Sequence, residues 1–386
     1  RLSIDKKGDT KSIVNLAIML EKGDGIPKNQ KEATSLYQAA IQKGDNRAMN
    51  NYACMLYNSE NKKDAANYYK MSAEKGNSNA MLSYACMLDK GEGVEKNKKE
   101  AASYFRLSAK KGNAQAMVKY ANLLNNEDKK KALRLYQHSA NCGNPTAIFK
   151  YAILLYNGDG VQQNKEEAAN LILKSANLGN SEALFMYAKM LESGDSVEKN
   201  KEEALKYYIL SADKGNAEAA FKAAFMMEKG EDVQKNPNKA YSYYKIAADK
   251  GNSDAMFRQG LMMSAGIGTF KNTEQAIELF KKSANKGNVD AMFWLGLLYE
   301  KNDKDQAKVY FKMAMEKGNK DAADKYNERY WHLSIWWSSK NKIYLKSLLF
   351  LIIIIKNYCV KISIFHIIYY IFYLFVVYYT KLHIWY

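Results

Sequence analysis

Histidine and cysteine, the residues that most often act as metal ligands and nucleophiles, are scarce in this sequence. Its 386 residues include 4 histidines and 4 cysteines, and no two cysteines have the spacing of a CxxC zinc or redox motif. His138 is the single histidine before residue 330. The sequence has no HExxH, GxSxG or Walker motif. We therefore predict no catalytic residue, no metal site and no cofactor, and a protein that is not an enzyme.

Short loops of glycine and acidic residues are the second feature that could bind a ligand. GDGIPKN, GEGVEKN and GDGVQQN occupy residues 23–29, 91–97 and 158–164. A calcium loop would need a DxDxDG series followed by a glutamate, and a phosphate-binding loop of the dinucleotide type follows a strand. These loops have neither context, so we predict that they are turns between helices.

A Gly-Asn or Gly-Asp pair recurs ten times between residues 8 and 319 and marks an internal repeat. Six of the nine intervals are 36 residues, and the others are 32, 31 and 31. Each unit contains two amphipathic segments, such as residues 181–194 and 203–216, in which apolar residues recur at helical spacing. The glycine suits a left-handed helix end, and the following asparagine suits the cap of the next helix. The pattern predicts two helices per unit and neighbouring units that stack.

This pattern resembles the Sel1-like repeat, a relative of the tetratricopeptide repeat. The resemblance covers residues 1–328 and includes the first-helix motif A-x-x-x-Y/L-A/G, the GxGVxxN loop and the second-helix motif EA-x-x-Y/F-x-x-x-A-x-K-GN. The family usually has Leu-Gly where most copies here have Tyr-Ala, as at Tyr187 and Ala188. Alanine also permits close helix packing. We therefore expect an all-α fold, a right-handed α-solenoid of about nine helix-turn-helix repeats.

The chain is predicted to consist of two unlike regions. Residues 1–328 form the solenoid, which we interpret as N-terminally truncated because residues 2–9 align with the end of a second helix. Residues 329–386 form an apolar tail outside it. The run 362–380 has no charged residue and is marginally long enough to cross a bilayer. Two interpretations of the tail remain open: a membrane anchor around 362–380, or non-native translation of an A-T-rich reading frame, which would also yield Ile, Tyr, Phe, Lys and Asn.

Two neighbouring positions of the first helix vary from repeat to repeat. One carries phenylalanine in five consecutive repeats, and an aromatic stripe of this spacing is more often core than binding groove. The next position is the better candidate for contacts with a partner, and it includes arginine and tryptophan, which are frequent in binding hot spots. The candidate partner-binding residues are Lys119, Lys150, Met186, Lys222, Arg258 and Trp294.

These features predict a non-catalytic protein–protein interaction scaffold or adaptor that presents a concave helical surface to a partner protein or peptide, which the lysines suggest is acidic. The resemblance implies two alternatives: a tail-anchored membrane adaptor of a degradation or signalling complex, or the regulatory repeats of a larger enzyme, such as a kinase, with its catalytic domain upstream. The net charge of +17 does not predict nucleic-acid binding, because the loop phrases that hold many of the lysines also include acids and no stacking aromatic motif accompanies them. We expect a cytoplasmic location, or an internal membrane with the repeats facing the cytosol.

Overall fold

The computed structural model describes residues 9–124 and 128–327, and all regular secondary structure in these ranges is helical. Nineteen helices follow one another there as nine consecutive pairs and one further helix. The predicted all-α class and the helix-turn-helix repeat are confirmed. By internal contacts the chain divides into two compact units, residues 1–273 and residues 274–386.

The first unit contains fifteen helices in its described residues, α1 (Thr10–Lys22), α2 (Gln30–Gln42), α3 (Asn46–Asn58), α4 (Lys62–Glu74), α5 (Ser78–Lys90), α6 (Lys98–Lys110), α7 (Ala114–Leu124), α8 (Lys129–Asn141), α9 (Pro145–Asn157), α10 (Lys165–Asn177), α11 (Ser181–Ser193), α12 (Lys201–Asp213), α13 (Ala217–Lys229), α14 (Pro237–Asp249) and α15 (Ser253–Ala265). The helices of the second unit, up to residue 327, are α16 (Thr273–Asn285), α17 (Val289–Tyr299), α18 (Lys304–Glu316) and α19 (Lys320–Tyr326).

The helix ends follow the predicted asparagine and glycine positions. Before α11, the Asn180 side chain accepts a hydrogen bond from the backbone N–H of Ala183 at 2.8 Å. Gly194 ends α11 in the left-handed conformation, with φ of 81°. Asn200 then caps α12 by accepting from the N–H of Glu203 at 3.0 Å. The same local rule repeated along the chain explains why sixteen of the nineteen described helices are 13 residues long.

Alanines bring the two helices of a pair together, and aromatic side chains fill the space beside them. In the sixth repeat Ala183, Ala188 and Ala204 are fully buried, as is the ring of Tyr208. Clusters of this composition recur along the first unit. Because a single pair cannot cover its own apolar side chains, stability is shared between stacked neighbours.

A fully buried serine of the second helix ties each of five pairs together. Its hydroxyl donates to the backbone carbonyl of the first residue of the preceding helix, at 2.6–2.8 Å. The five donors are Ser72, Ser108, Ser139, Ser175 and Ser211. The contact fixes where the end of one helix lies against the start of the other.

None of the helices within residues 9–124 and 128–327 has the length and apolarity to cross a membrane. The proposed anchor at 362–380 lies outside the described residues, as do the predicted boundary after residue 328 and the first eight residues. The two-region division and the two interpretations of the tail therefore stay predictions.

Candidate functional site

The first helices of consecutive repeats in the first unit, which are its odd-numbered helices, lie side by side. Arg47 of α3 donates to the Asn15 side chain of α1 at 3.3 Å. Lys150 of α9 lies 3.9 Å from Glu182 of α11. We call the solvent-facing side of α1, α3, α5, α7, α9, α11, α13 and α15 the odd-helix face.

Five of the six predicted partner-binding residues are on this face. Lys119 on α7 is exposed, and Lys150, Met186, Lys222 and Arg258 on the next four odd-numbered helices are partly exposed. Met186 also packs against the largest apolar cluster of the unit. The structure therefore places these five at equivalent positions of successive helices.

Lys222 belongs to a polar chain that connects the core to the odd-helix face. The Tyr208 hydroxyl donates to the Glu192 carboxylate at 2.6 Å, and Lys222 of the next repeat lies 4.0 Å from the same carboxylate. Burial raises the pKa of Tyr208, and the hydrogen bond to Glu192 raises it further. The phenol thus stays protonated and acts as the donor.

The following repeat contains the same arrangement with arginine in place of lysine. Tyr244 donates to Glu228 at 2.5 Å, and Arg258 of the next repeat approaches that carboxylate at 3.7 Å. Both cations therefore lie beside an acid of the preceding repeat, at a separation where an exposed pair contributes about 1 kcal/mol or less. The face is less basic at these two positions than the sequence suggested.

The phenylalanine position combines the two roles considered for it. Phe149 and Phe257 are buried, at 8% and 6% exposure. Phe185 and Phe221 are half-buried and pack against the largest apolar cluster of the unit. The stripe is thus fully core in two repeats and partly exposed at the rim of the core in others.

Sequence reasoning missed Phe225, which lies one helical turn after Phe221. The two rings stack at a centroid distance of 6.3 Å. The Lys229 Nζ atom is 5.6 Å from the Phe225 centroid, and the Arg258 Cζ atom is 5.5 Å from it. Neighbouring repeats have Lys189 and Leu261 at this position, so comparing every helix position across the repeats would have revealed the exception.

The sixth candidate, Trp294, is on α17 of the second unit. It is 41% exposed, beside a half-buried Phe293. Lys325 of α19 lies 3.8 Å from Glu300. This pair has the same repeat positions as Arg258 and Glu228 have in the first unit, so the acid–base contact between consecutive first helices occurs in both units.

Two cysteines and the histidine of the described residues lie on three different helices, α3, α5 and α8. Cys54 and Cys86 are half-buried and His138 is exposed. Cys54 accepts a hydrogen bond from Tyr69 at 3.0 Å, and burial raises the pKa of the Cys86 thiol. Within residues 9–124 and 128–327, no group of three or more His, Cys, Asp or Glu side chains is placed to hold a metal ion.

Comparisons with known proteins agree with this geometry. The sequence profile of the Sel1 repeat matches six segments, more than half of the chain: 10–45, 46–77, 78–113, 115–144, 145–180 and 181–216. The profile described as plant tetratrico peptide repeats matches residues 229–329. A search of curated proteins found no match.

Two solved structures share the fold. The protective antigen c5321 of uropathogenic Escherichia coli, which displays an SLR fold, is 26% identical with a TM-score of 0.67, over 84% of this chain and 72% of that one. A Sel1 repeat protein from Oxalobacter formigenes is 24% identical with a TM-score of 0.60, over 76% of this chain and 89% of that one. The helix pairs are therefore those of a Sel1-type solenoid.

Proposed function

The chain belongs to the Sel1 repeat family, and on this premise we propose that it is a non-catalytic scaffold that binds a partner protein or peptide on its odd-helix face. Sel1 and tetratricopeptide-like repeats generally mediate protein–protein interaction and are typically not catalytic. Such arrays present an extended concave surface rather than a pocket.

One observation supports the proposal most strongly. Inward-facing positions of the odd-numbered helices have the same residue type in successive repeats, whereas nearby outward-facing positions have different residue types. Ala183, Ala219 and Ala255 are equivalent and fully buried. Three residues further along each helix stand Met186, Lys222 and Arg258. A constant core beneath a variable surface suits a fold that is kept while its binding specificity changes.

The experiment is capture of partners by the full-length chain with chemical cross-linking, identified by mass spectrometry. The test variant carries Lys150→Glu, Lys222→Glu and Arg258→Glu. We expect the captured partner to be reduced at least tenfold, because several contacts of the odd-helix face change sign together.

A matched control carries Lys110→Glu, Lys174→Glu and Lys245→Glu. These exposed lysines are on the even-numbered helices α6, α10 and α14, so the net charge changes equally. Circular dichroism establishes that both variants remain helical. A partner that the control loses and the test variant keeps would place binding on the even-numbered helices and contradict the proposal.

A further inference from the structure

The cluster around Phe225 is the part of the odd-helix face with the most specific chemistry. It joins two stacked, half-buried rings, Phe221 and Phe225, to the cations of Lys229 and Arg258. All four belong to α13 and α15 of the first unit. An apolar surface with cations at its edge is where a side chain of opposite charge and an apolar neighbour can bind together.

The ion pairs at the Phe225 cluster leave one of its two cations without an acid beside it in the described residues, although α11, α13 and α15 together carry five acidic and four basic residues. Glu192 and Glu228 each lie beside a cation of the next repeat, Lys222 and Arg258. Lys189 and Lys229 take part in no ion pair within the described residues and are exposed. Arg258 can bind a further carboxylate although it lies beside Glu228. Its guanidinium has five N–H donors, and its contact to Glu228 is a single one at 3.7 Å.

We propose that the Phe225 cluster binds an acidic peptide segment in which a carboxylate lies within one helical turn of a leucine or aromatic residue. This proposal rests on the proposed function and names its partner class. The partner's carboxylate is bound by Lys229 and Arg258, and its apolar side chain packs against Phe221 and Phe225. The cations at the edge of the cluster favour a negatively charged partner. The exposed part of the two rings favours a partner that also has an apolar side chain beside its carboxylate.

A nucleic acid would use cations in a different way. Single-stranded nucleic acid binds along a row of cations with aromatic rings open for base stacking. Here Phe225 stacks against Phe221. Lys222 and Arg258 each lie beside an acid of the preceding repeat, so these cations of the odd-helix face do not form a row open to phosphates. The cluster is therefore a local site for a protein segment.

The test uses a library of random peptides displayed on phage and selected on the immobilised full-length chain. The selected peptides are then synthesised with a fluorescent label, and their Kd is measured by anisotropy. The test variants are Phe225→Leu and Lys229→Ala, singly and together. Leu261 and Ala265 occupy the equivalent positions of the next repeat, so both substitutions are compatible with the fold. Lys245→Ala removes an exposed lysine from α14 of the same repeat and is the control.

We expect selection to enrich peptides that combine Asp or Glu with Leu, Phe or Trp. Their Kd should rise at least tenfold in the double variant, stay unchanged in Lys245→Ala, and rise with salt. Selection of no peptide, or of basic peptides, or equal binding to the double variant would overturn the proposal. The proposal would also be overturned if a single-stranded oligouridine displaced the peptides and its own binding were weakened by the same two substitutions. If the peptide test fails but capture of the cross-linked partner is still reduced by substitutions elsewhere on the odd-helix face, only the Phe225 site is refuted and the scaffold function stands.

Discussion

At the residue scale, most of the specificity between the helices comes from a few polar atoms rather than from the alanine-rich core. The alanine side chains are small, so they can pack in many relative positions of the two helices. The buried serine hydroxyls permit far fewer relative positions, because each hydroxyl must reach a single carbonyl oxygen. The first, seventh and ninth repeats have Ala40, Ala247 and Ala314 where the others have this serine, so the pair can form without it.

Replacing Ser211 by alanine should therefore lower the free energy of unfolding without abolishing the fold. The change removes the 2.8 Å hydrogen bond to the Ser181 carbonyl. We expect a loss of about 1 kcal/mol, the usual net value of one buried hydrogen bond. Chemical denaturation followed by circular dichroism measures it.

Ser193→Ala is the control for this prediction. Ser193 is exposed, and its hydroxyl donates to the Lys189 carbonyl of its own helix. The expected change is within about 0.5 kcal/mol, as for most surface substitutions. Equal losses for the two serines would show that the contact between helices is not what stabilises the pair.

At the element scale, the loop between the two helices of a repeat also packs against the repeat before it. A Cβ atom added to Gly93 would lie 2.2 Å from the carbonyl oxygen of Lys62, the first residue of α4. Gly268 approaches Pro237 of α14 in the same way, at 2.3 Å. Two loops depart from glycine, since Ser196 and Asp232 occupy this position with φ of 64° and 61°. The loop is thus an inter-repeat contact as well as a turn.

Gly93→Ala should destabilise the protein more than a glycine substitution that meets open space. The added methyl group meets backbone in addition to an unfavourable φ of +71°, and together these cost about 2–5 kcal/mol. Gly112→Ala is the control, because φ is +86° there and no atom lies within 4 Å of the added Cβ. It should cost about 1–2 kcal/mol. Denaturation midpoints compare the two, and equal values would mean that the loop does not contact the preceding helix closely.

The sequence predicted the helices and turns well because each is set by residues close together in the chain. Asn180, the glycine at 194 and the apolar spacing between them define α11 without reference to any other repeat. The contacts of Glu192 with Tyr208 and Lys222 could not be predicted in this way. They join residues 16 and 30 positions apart in three different helices, so they depend on how far each helix is rotated.

The candidate site was predicted only in part, because local sequence determines the faces of a helix but not its contacts with other helices. Periodicity identified which position of each odd-numbered helix faces solvent, and five candidates are on the odd-helix face. It did not reveal that Lys222 and Arg258 lie beside acids, since ion pairing depends on the neighbouring repeat. It also missed Phe225, because a single aromatic residue at a position that varies among cysteine, asparagine, lysine and aliphatic residues has no periodicity.

At the scale of the whole molecule, the tyrosines connect the stability of the first unit to alkaline pH. The chain has 29 tyrosines, and three of them, Tyr37, Tyr208 and Tyr244, are fully buried and donate to Glu21, Glu192 and Glu228. Burial is the main cause that raises the pKa of each, followed by the hydrogen bond to the glutamate. The three lie in different repeats, so the effect is distributed along the unit.

A pKa that is raised in the folded state means that the folded protein holds the proton more tightly than the unfolded chain does. The resulting stability is fully present below the unfolded pKa of 10.0 and is lost as the pH rises above it. We expect the helical signal to fall above this pH, together with ionisation of the buried phenols seen by ultraviolet absorbance. Tyr208→Phe should be less stable than the wild type at neutral pH, because the hydrogen bond to Glu192 is lost. The difference in free energy of unfolding between the wild type and the variant should narrow as the pH rises past the unfolded pKa, since the variant has no phenol to ionise at that position. A gap that stays constant through this range would show that Tyr208 ionises as readily in the folded protein as in the unfolded chain.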